Sequence, residues 1–147
     1  MLTIRIEVEV RPTEDEGKVK KALKNIFTLS DNDIKSIDMG SNYKLLVVES
    51  KKLSILFRLY ELLRQERILD TARSIMLSSR RGNMLTIKLH KQSAYAGHIS
   101  FISYDEESPL GPITLTIVSD KLDEIIDWLA PKTSHGRPLW EREVPRV

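Results

Sequence analysis

The chain has 147 residues and no cysteine, and its 23 basic and 21 acidic residues leave a net charge of +2 at neutral pH. This length favours a single domain, and the lack of cysteine excludes disulfides and thiolate metal sites. No leader segment and no apolar run of about 18 residues is present, so we expect a cytoplasmic protein without a membrane segment. The charge-rich composition is typical of thermophile proteins.

The net charge is concentrated in the middle of the chain. Residues 44–98 contain eleven Lys or Arg residues against four acidic ones. Residues 1–43 contain seven basic and eight acidic residues, and residues 99–147 contain five basic and nine acidic residues. A local positive field attracts anionic partners, of which nucleic acid is the commonest.

The first third of the chain predicts one strand and one helix. Residues 3–10 alternate between apolar and polar side chains, which indicates a strand with one buried face. Apolar residues then recur at helical spacing from Val19 to Phe27. Residues 28–42 are polar and rich in turn residues, so we expect no regular element there.

The central third predicts a strand followed by a long helical stretch. The unbroken apolar run at residues 45–48 is typical of a central strand covered on both faces, or of a short buried strand. Residues 51–81 show helical periodicity, and the apolar stripe shifts near residues 64–66. We therefore expect a kink or break at that point and two helical segments.

The last third predicts three strands and a final helix. The strands fall at residues 84–90, 98–103 and 113–118, with a loop of small residues after the first. The helix carries its apolar stripe between Leu122 and Leu129 and ends at Pro131.

The element order β-α-β-α-(α)-β-β-β-α favours an α+β fold with a single, mostly antiparallel sheet and helices on one face. Residues 1–131 would form one domain, and residues 132–147 an extended or partly disordered tail. Trp140 argues partly against disorder, because a side chain of that size usually packs against something.

No catalytic constellation is recognisable. The glycines form no nucleotide-binding loop. His90 and His98 fall on predicted neighbouring strands and could form a metal or acid/base pair, but two surface histidines without an adjacent ligand are more often simply exposed. We therefore expect no enzyme activity, no cofactor and no metal site.

The basic middle segment allows two interpretations. Arg64, Arg67 and Arg73 lie on the long helical stretch, and Lys88 lies on the following strand. Arginine suits phosphate because its guanidinium group can bind two oxygens at once. The alternative is a helix surface whose arginines pair with neighbouring acids such as Asp70.

The predicted sheet does not offer a base-stacking platform. Its outward positions are Thr3, Arg5, Glu7, Glu9, Thr86, Lys88, His90, Thr114 and Thr116, and none is aromatic. Since single-stranded RNA is often bound by stacking bases on such positions, any RNA binding would depend on backbone and shape recognition.

Five short stretches resemble the archaeal UPF0201 family, an uncharacterised group within a wider set of predicted RNA-binding proteins. They are VEVRPTED at residues 8–15, RQERILDTAR at 64–73, KQSA at 91–94, ESPLGPI at 107–113 and DWLAP at 127–131. Their order and spacing fit over residues 2–138, and ESPLGPI is the most specific element.

This resemblance implies an archaeal cytoplasmic protein with an α+β fold similar to that of ribosomal protein L5, and it supplies no catalytic residue. Most of the stretches also suit strand ends, caps or turns, whereas Lys91-Gln92 is the least easily explained by folding. The candidate RNA-binding residues are Arg11, Arg64, Arg67, Arg73, Lys91 and Gln92 from these stretches, together with Lys88 of the basic middle segment.

The leading hypothesis is non-catalytic binding of RNA or a ribonucleoprotein through the basic middle segment. The alternative is a homodimeric module that binds an anionic small ligand or an acidic protein partner. Arginines that converge with Lys88 and Lys91 on one exposed face would favour RNA, whereas internally paired arginines would favour a structural role.

Overall fold

The computed structural model describes all 147 residues and contains a five-stranded antiparallel sheet. The strands lie in the order β2-β3-β1-β5-β4. Their bounds are β1 Leu2–Val10, β2 Lys35–Gly40, β3 Tyr43–Ser50, β4 Met84–His90 and β5 Pro112–Ser119.

Five helices accompany the sheet, and a short hairpin follows the last of them. The helices are α1 Glu16–Ile26, α2 Phe57–Gln65, α3 Leu69–Ser79, α4 Lys91–Tyr95 and α5 Leu122–Leu129. The hairpin is formed by β6 (Thr133–Ser134) and β7 (Arg137–Pro138). None of the helices combines the length and apolar character that a membrane crossing needs.

The core lies between one face of the sheet and the helices. Strand β1 buries every second residue, because successive side chains of a strand point to opposite faces. One continuous cluster joins these residues to the apolar stripes of the helices, including Leu23 of α1, Leu63 of α2 and Ile126 of α5. The α+β prediction is confirmed, whereas the likeness to ribosomal protein L5 stays a prediction.

The predicted break in the long helical stretch is confirmed, and its geometry explains it. Arg67 adopts a left-handed backbone with φ of 56°. The amide of Ile68 donates to the carbonyl of Leu63 at 3.1 Å, and the amide of Arg67 donates to the carbonyl of Arg64 at 3.2 Å. This pair of hydrogen bonds is the Schellman helix ending, in which the left-handed position is usually glycine.

Three predicted elements are wrong. Strand β2 forms within residues 28–42, which we expected to be irregular, because it pairs with β3 although its own side chains are all exposed. Residues 98–103 make only one bridge to β4, from Phe101 to Leu89, before the chain turns away. The expected loop after β4 begins with α4, since the Nδ1 atom of His90 caps it by accepting from the amide of Ser93 at 3.2 Å.

These changes correct the predicted order to β-α-β-β-α-α-β-α-β-α, followed by the hairpin. The apolar run of β3 is divided between the two faces of the sheet. Leu46 and Val48 belong to the core, whereas Val47 lies on the outer face beside Glu7 and Lys35, which oppose it on β1 and β2.

The tail, residues 132–147, follows α5 and lies against the helices. The Nε1 atom of Trp140 donates to the carbonyl of Asp127 at 3.3 Å. The Nζ atom of Lys121 donates to the carbonyl of Arg146 at 3.1 Å. Thr133 donates to the carboxylate of Asp70 in the first turn of α3. The tail thus contacts α3 and both ends of α5.

Candidate functional site

Three of the family-like stretches meet around the side chain of Lys91. Lys91 is fully buried, and its Nζ atom lies 3.0 Å and 3.2 Å from the two carboxylate oxygens of Glu14. The same atom donates to the carbonyl of Glu9 at 2.9 Å and to that of Leu110 at 2.5 Å. We call Lys91, Glu14 and the groups that contact them the Lys91 cluster.

Residues next to this ion pair form further hydrogen bonds between the same three stretches. The hydroxyl of Ser108 accepts from the amide of Lys91 at 3.3 Å and donates to the carbonyl of Gly111 at 2.6 Å. The guanidinium of Arg11 donates to the carbonyl of Pro109 at 3.0 Å. The ammonium group and the backbone amide of Lys91 therefore both have partners within the protein.

The electrostatics of the Lys91 cluster follow from its burial. Removal from water lowers the pKa of Lys91, and the carboxylate of Glu14 opposes that shift. Burial raises the pKa of Tyr95 to about 12, and the negative charge of Glu14 adds to the effect. The hydroxyl of Tyr95 lies 3.4 Å from Glu14 Oε2, so it donates a further hydrogen bond to that carboxylate.

The remaining two stretches meet where α5 ends. Arg64 donates to the carbonyls of Trp128 and Leu129, both at 3.2 Å. Arg73 donates to the carbonyl of Ala130 at 3.0 Å and pairs with Asp127 at 2.9 Å. Both guanidinium groups therefore satisfy carbonyls that a helix end leaves unpaired, and they add positive charge at the negative end of the helix dipole.

The tail completes this second group of contacts. The Nη2 atom of Arg64 lies 2.7 Å from Glu141 Oε1, and the hydrogen bonds from Arg64 lower the pKa of Glu141. The guanidinium of Arg64 also covers the ring of Tyr60, at 3.4 Å from its centroid. We call Arg64, Arg73, Asp127 and Glu141 the helix-end cluster.

The predicted binding residues do not converge on one exposed face. Lys91 lies in the interior, so it cannot contact RNA phosphate in this conformation. Arg64 and Arg73 hold the end of α5, Arg11 spans to Pro109, and Lys88 pairs with Asp105 at 2.6 Å. Gln92 and Arg67 are exposed, and Arg67 forms no ion pair.

Sequence reasoning missed the acidic partners of these cations. Glu14 and Asp127 lie inside the family-like stretches, but their pairing with Lys91 and Arg73 spans 77 and 54 residues. The sequence does offer one signal. Each of these acidic residues lies in a family-like stretch, and Lys91 and Arg73 lie in other stretches of the same set, so the stretches themselves contain the opposite charges that could pair.

Two exposed lysines of α1 also have no acidic partner. Lys20 and Lys24 pair with Glu16 and Asp31, whereas Lys18 and Lys21 form no ion pair. Lys18 and Lys21 share a stripe of α1 with Asn25, whose Nδ2 atom donates to the carbonyls of Ala94 and Tyr95 in α4. The free lysines therefore lie on the side of α1 that faces α4.

The histidines and the outer face of the sheet carry no assembled site. His90 caps α4, and His98 lies 3.6 Å from Glu66. The nine outward positions named above contain no aromatic residue, but the β2–β3 hairpin adds Tyr43, which is 41% exposed. Tyr43 belongs to β3, and the unbroken apolar run of that strand shows no alternation from which an outward position could be predicted.

Comparison with known proteins finds close relatives over nearly the full length. A family model described as RNA binding matches residues 3–119. A UPF0201 protein of Metallosphaera sedula is 45% identical over 99% of both chains. A UPF0201 protein of Aeropyrum pernix is 48% identical over 97% of this chain and 93% of its own.

Solved structures show the same similarity. The crystal structure of a UPF0201 protein from Methanococcus jannaschii superposes with a TM-score of 0.81 at 31% identity, covering 93% of this chain and 98% of that one. A second UPF0201 crystal structure gives a TM-score of 0.72 at 36% identity, covering 93% and 99%.

Proposed function

Because the chain belongs to the archaeal UPF0201 family, and because residues 3–119 match a model described as RNA binding, we propose that it binds RNA without catalysing a reaction. That match is the observation that carries the proposal. The affinity would come from contacts with phosphate groups, which release condensed counterions and therefore weaken as salt rises.

The free cations of the helical layer are the groups that best suit this role. Lys18 and Lys21 of α1 are exposed without an acidic partner, and so is Arg67 at the turn between α2 and α3. Gln92 is exposed on α4, which packs against α1. A cation without an ion pair can bind phosphate without first giving up a carboxylate partner.

The buried and paired cations suit this role less well. Moving Arg64, Arg73 or Lys91 toward RNA would leave Glu141, Asp127 or Glu14 without its cation. Breaking the buried Lys91–Glu14 pair would cost about 3–5 kcal/mol. Moving Arg64 or Arg73 would also leave carbonyl groups at the end of α5 without their donors. We therefore assign the RNA contacts to Lys18, Lys21, Arg67 and Gln92 rather than to the family-like arginines.

Fluorescence anisotropy with labelled structured and single-stranded RNAs, titrated with salt, tests this proposal. The variant Lys18→Ala/Lys21→Ala/Arg67→Ala removes three free cations. We expect the slope of log affinity against log salt to be smaller in magnitude by about 2 to 3, because each lost phosphate contact reduces that magnitude by about 0.7–0.9.

The control variant Lys20→Ala/Lys24→Ala/Lys88→Ala also removes three positive charges, but at lysines that already have an acidic partner. We expect its slope to change by less than half as much. If the folded protein binds none of the RNAs at low salt, the proposal is wrong. A module for an anionic small ligand or an acidic protein partner then becomes the better hypothesis.

A further inference from the structure

An aromatic pocket lies between α2, α5 and the tail. Phe57, Tyr60 and Trp128 line it from the helices, and Arg142 and Val144 line it from the tail. The cavity measures about 480 Å³, which falls within the range of small-molecule sites. The pocket is separate from the Lys91 cluster and from the free cations of α1.

Only one of the three rings has a surface that a ligand can cover. Tyr60 stacks on Trp128, with centroids 5.2 Å apart and an angle of 20° between the rings, and Arg64 covers it as well. Trp128 is only 3% exposed. Phe57, whose centroid lies 6.1 Å from that of Trp128, is 40% exposed, so a planar ligand would stack on Phe57.

The polar groups of the pocket specify what such a ligand carries. Two carboxylates line it, Glu61 one turn after Phe57 and Glu143 on the tail. Carboxylates accept hydrogen bonds and donate none, so they select a ring with N–H groups on its edge. Two guanidinium groups balance their charge: Arg142 lines the pocket, and Arg58 lies 3.6 Å from Glu61.

We propose that this pocket binds the unpaired guanine base of an RNA strand. The base stacks on Phe57, and its adjacent N1–H and amino donors face the carboxylate of Glu61 or Glu143. The phosphate of the same nucleotide contacts Arg142, which lines the pocket and forms no ion pair. This assignment rests on the proposed function and deepens it, because it adds one base-specific contact to binding that otherwise depends on phosphates.

Isothermal titration calorimetry with 5′-GMP and 5′-UMP tests the pocket without RNA. We expect GMP to bind at least about tenfold more tightly than UMP, because uracil has no amino group and leaves a hydrogen bond to a carboxylate unmade. Chemical shift changes induced by GMP should centre on the side chains of Phe57 and Trp128.

Substitutions of two equally exposed aromatic residues provide the matched comparison. Phe57→Leu keeps an apolar side chain but removes the stacking ring, and we expect GMP binding to weaken by about 5- to 150-fold. Tyr43→Leu, on the outer face of the sheet, should leave GMP binding unchanged. Glu61→Gln combined with Glu143→Gln should reduce the preference for GMP over UMP.

Failure of this inference is distinguishable from failure of the proposed function. Equal affinities for GMP and UMP, or GMP binding that survives Phe57→Leu, would overturn the guanine site. RNA binding in the anisotropy assay that is unchanged by Phe57→Leu would overturn the site and leave the phosphate contacts intact. GMP binding by a protein that binds no RNA would retain the pocket as a nucleotide site and overturn its assignment to RNA.

Discussion

The charge of Lys91 is enclosed by the fold and satisfied by two carboxylate oxygens and two carbonyl oxygens. A buried ammonium group is tolerated only when such partners replace the water that it loses. Its partners come from the end of β1, the turn before α1 and the turn before β5. Lys91 therefore connects three segments that are distant in sequence.

Replacing Lys91 by methionine should lower the free energy of unfolding by about 3–5 kcal/mol, because the carboxylate of Glu14 would remain buried without its cation. Urea denaturation measures this change. The double variant Lys91→Met/Glu14→Gln should recover part of the loss, since it removes both charges together. A cost below about 1 kcal/mol for the single variant would contradict the structural role of the pair.

Tyr95 reports on the same cluster at high pH. Its pKa is raised to about 12 in the folded protein, from 10.0 for an unperturbed tyrosine, so the fold favours the protonated hydroxyl. The stability that this preference contributes is fully present below pH 10 and is lost as the pH rises toward 12.

Ultraviolet absorbance of phenolate should therefore show a component that titrates near pH 12. Tyr95→Phe should remove this component, whereas Tyr104→Phe, which replaces a tyrosine that is 70% exposed, should leave it in place. A component of unchanged size in the Tyr95→Phe protein would show that burial of Tyr95 beside Glu14 is not its cause.

At the scale of elements, the break between α2 and α3 determines where three arginines point. Arg64 and Arg73 flank the left-handed turn at Arg67, and both reach the carbonyl end of α5. Arg67 itself faces solvent without an ion pair. The same stretch thus places two structural cations and one free cation within ten residues.

Arg73→Ala and Arg67→Ala provide a comparison of two arginines from this stretch. Arg73→Ala should reduce the free energy of unfolding by about 2 kcal/mol, because it leaves Asp127 and the carbonyl of Ala130 without a charged donor. Arg67→Ala should change it by less than about 0.5 kcal/mol, as expected for an exposed side chain. Thermal or urea denaturation of both variants checks the difference.

Equal losses of stability in the two variants would contradict the assignment of Arg73 to the helix-end cluster. The RNA assay provides an independent readout of the same pair. Arg67→Ala should weaken RNA binding, whereas Arg73→Ala should leave it unchanged at temperatures where the protein is folded.

At the scale of the whole molecule, the excess positive charge of residues 44–98 does not form a single surface. The fold brings acidic residues from both ends of the chain to the basic middle: Glu14 from the first third, and Asp127 and Glu141 from the last. The salt dependence predicted above therefore depends on the individual cations that remain free, and not on the net charge of the segment.

Local patterns in the sequence were sufficient for most of the fold. The alternation in β1, β4 and β5 and the apolar stripes of α1 and α5 follow from side-chain periodicity, which needs no tertiary information. The break near residue 66 was visible as a shift of the stripe. By contrast, β2 exists only because β3 offers it a partner, and residues 98–103 fail as a strand although their own pattern is favourable.

The sequence by itself determined the fold class, the positions of the central strands and the family, because each depends on residues that are close together along the chain. Only the tertiary structure decided which cations are free, since ion pairs such as Lys91–Glu14 and Arg64–Glu141 join residues 77 positions apart. The strength of a charge interaction depends on distance and burial in space, and neither quantity is encoded in local sequence spacing.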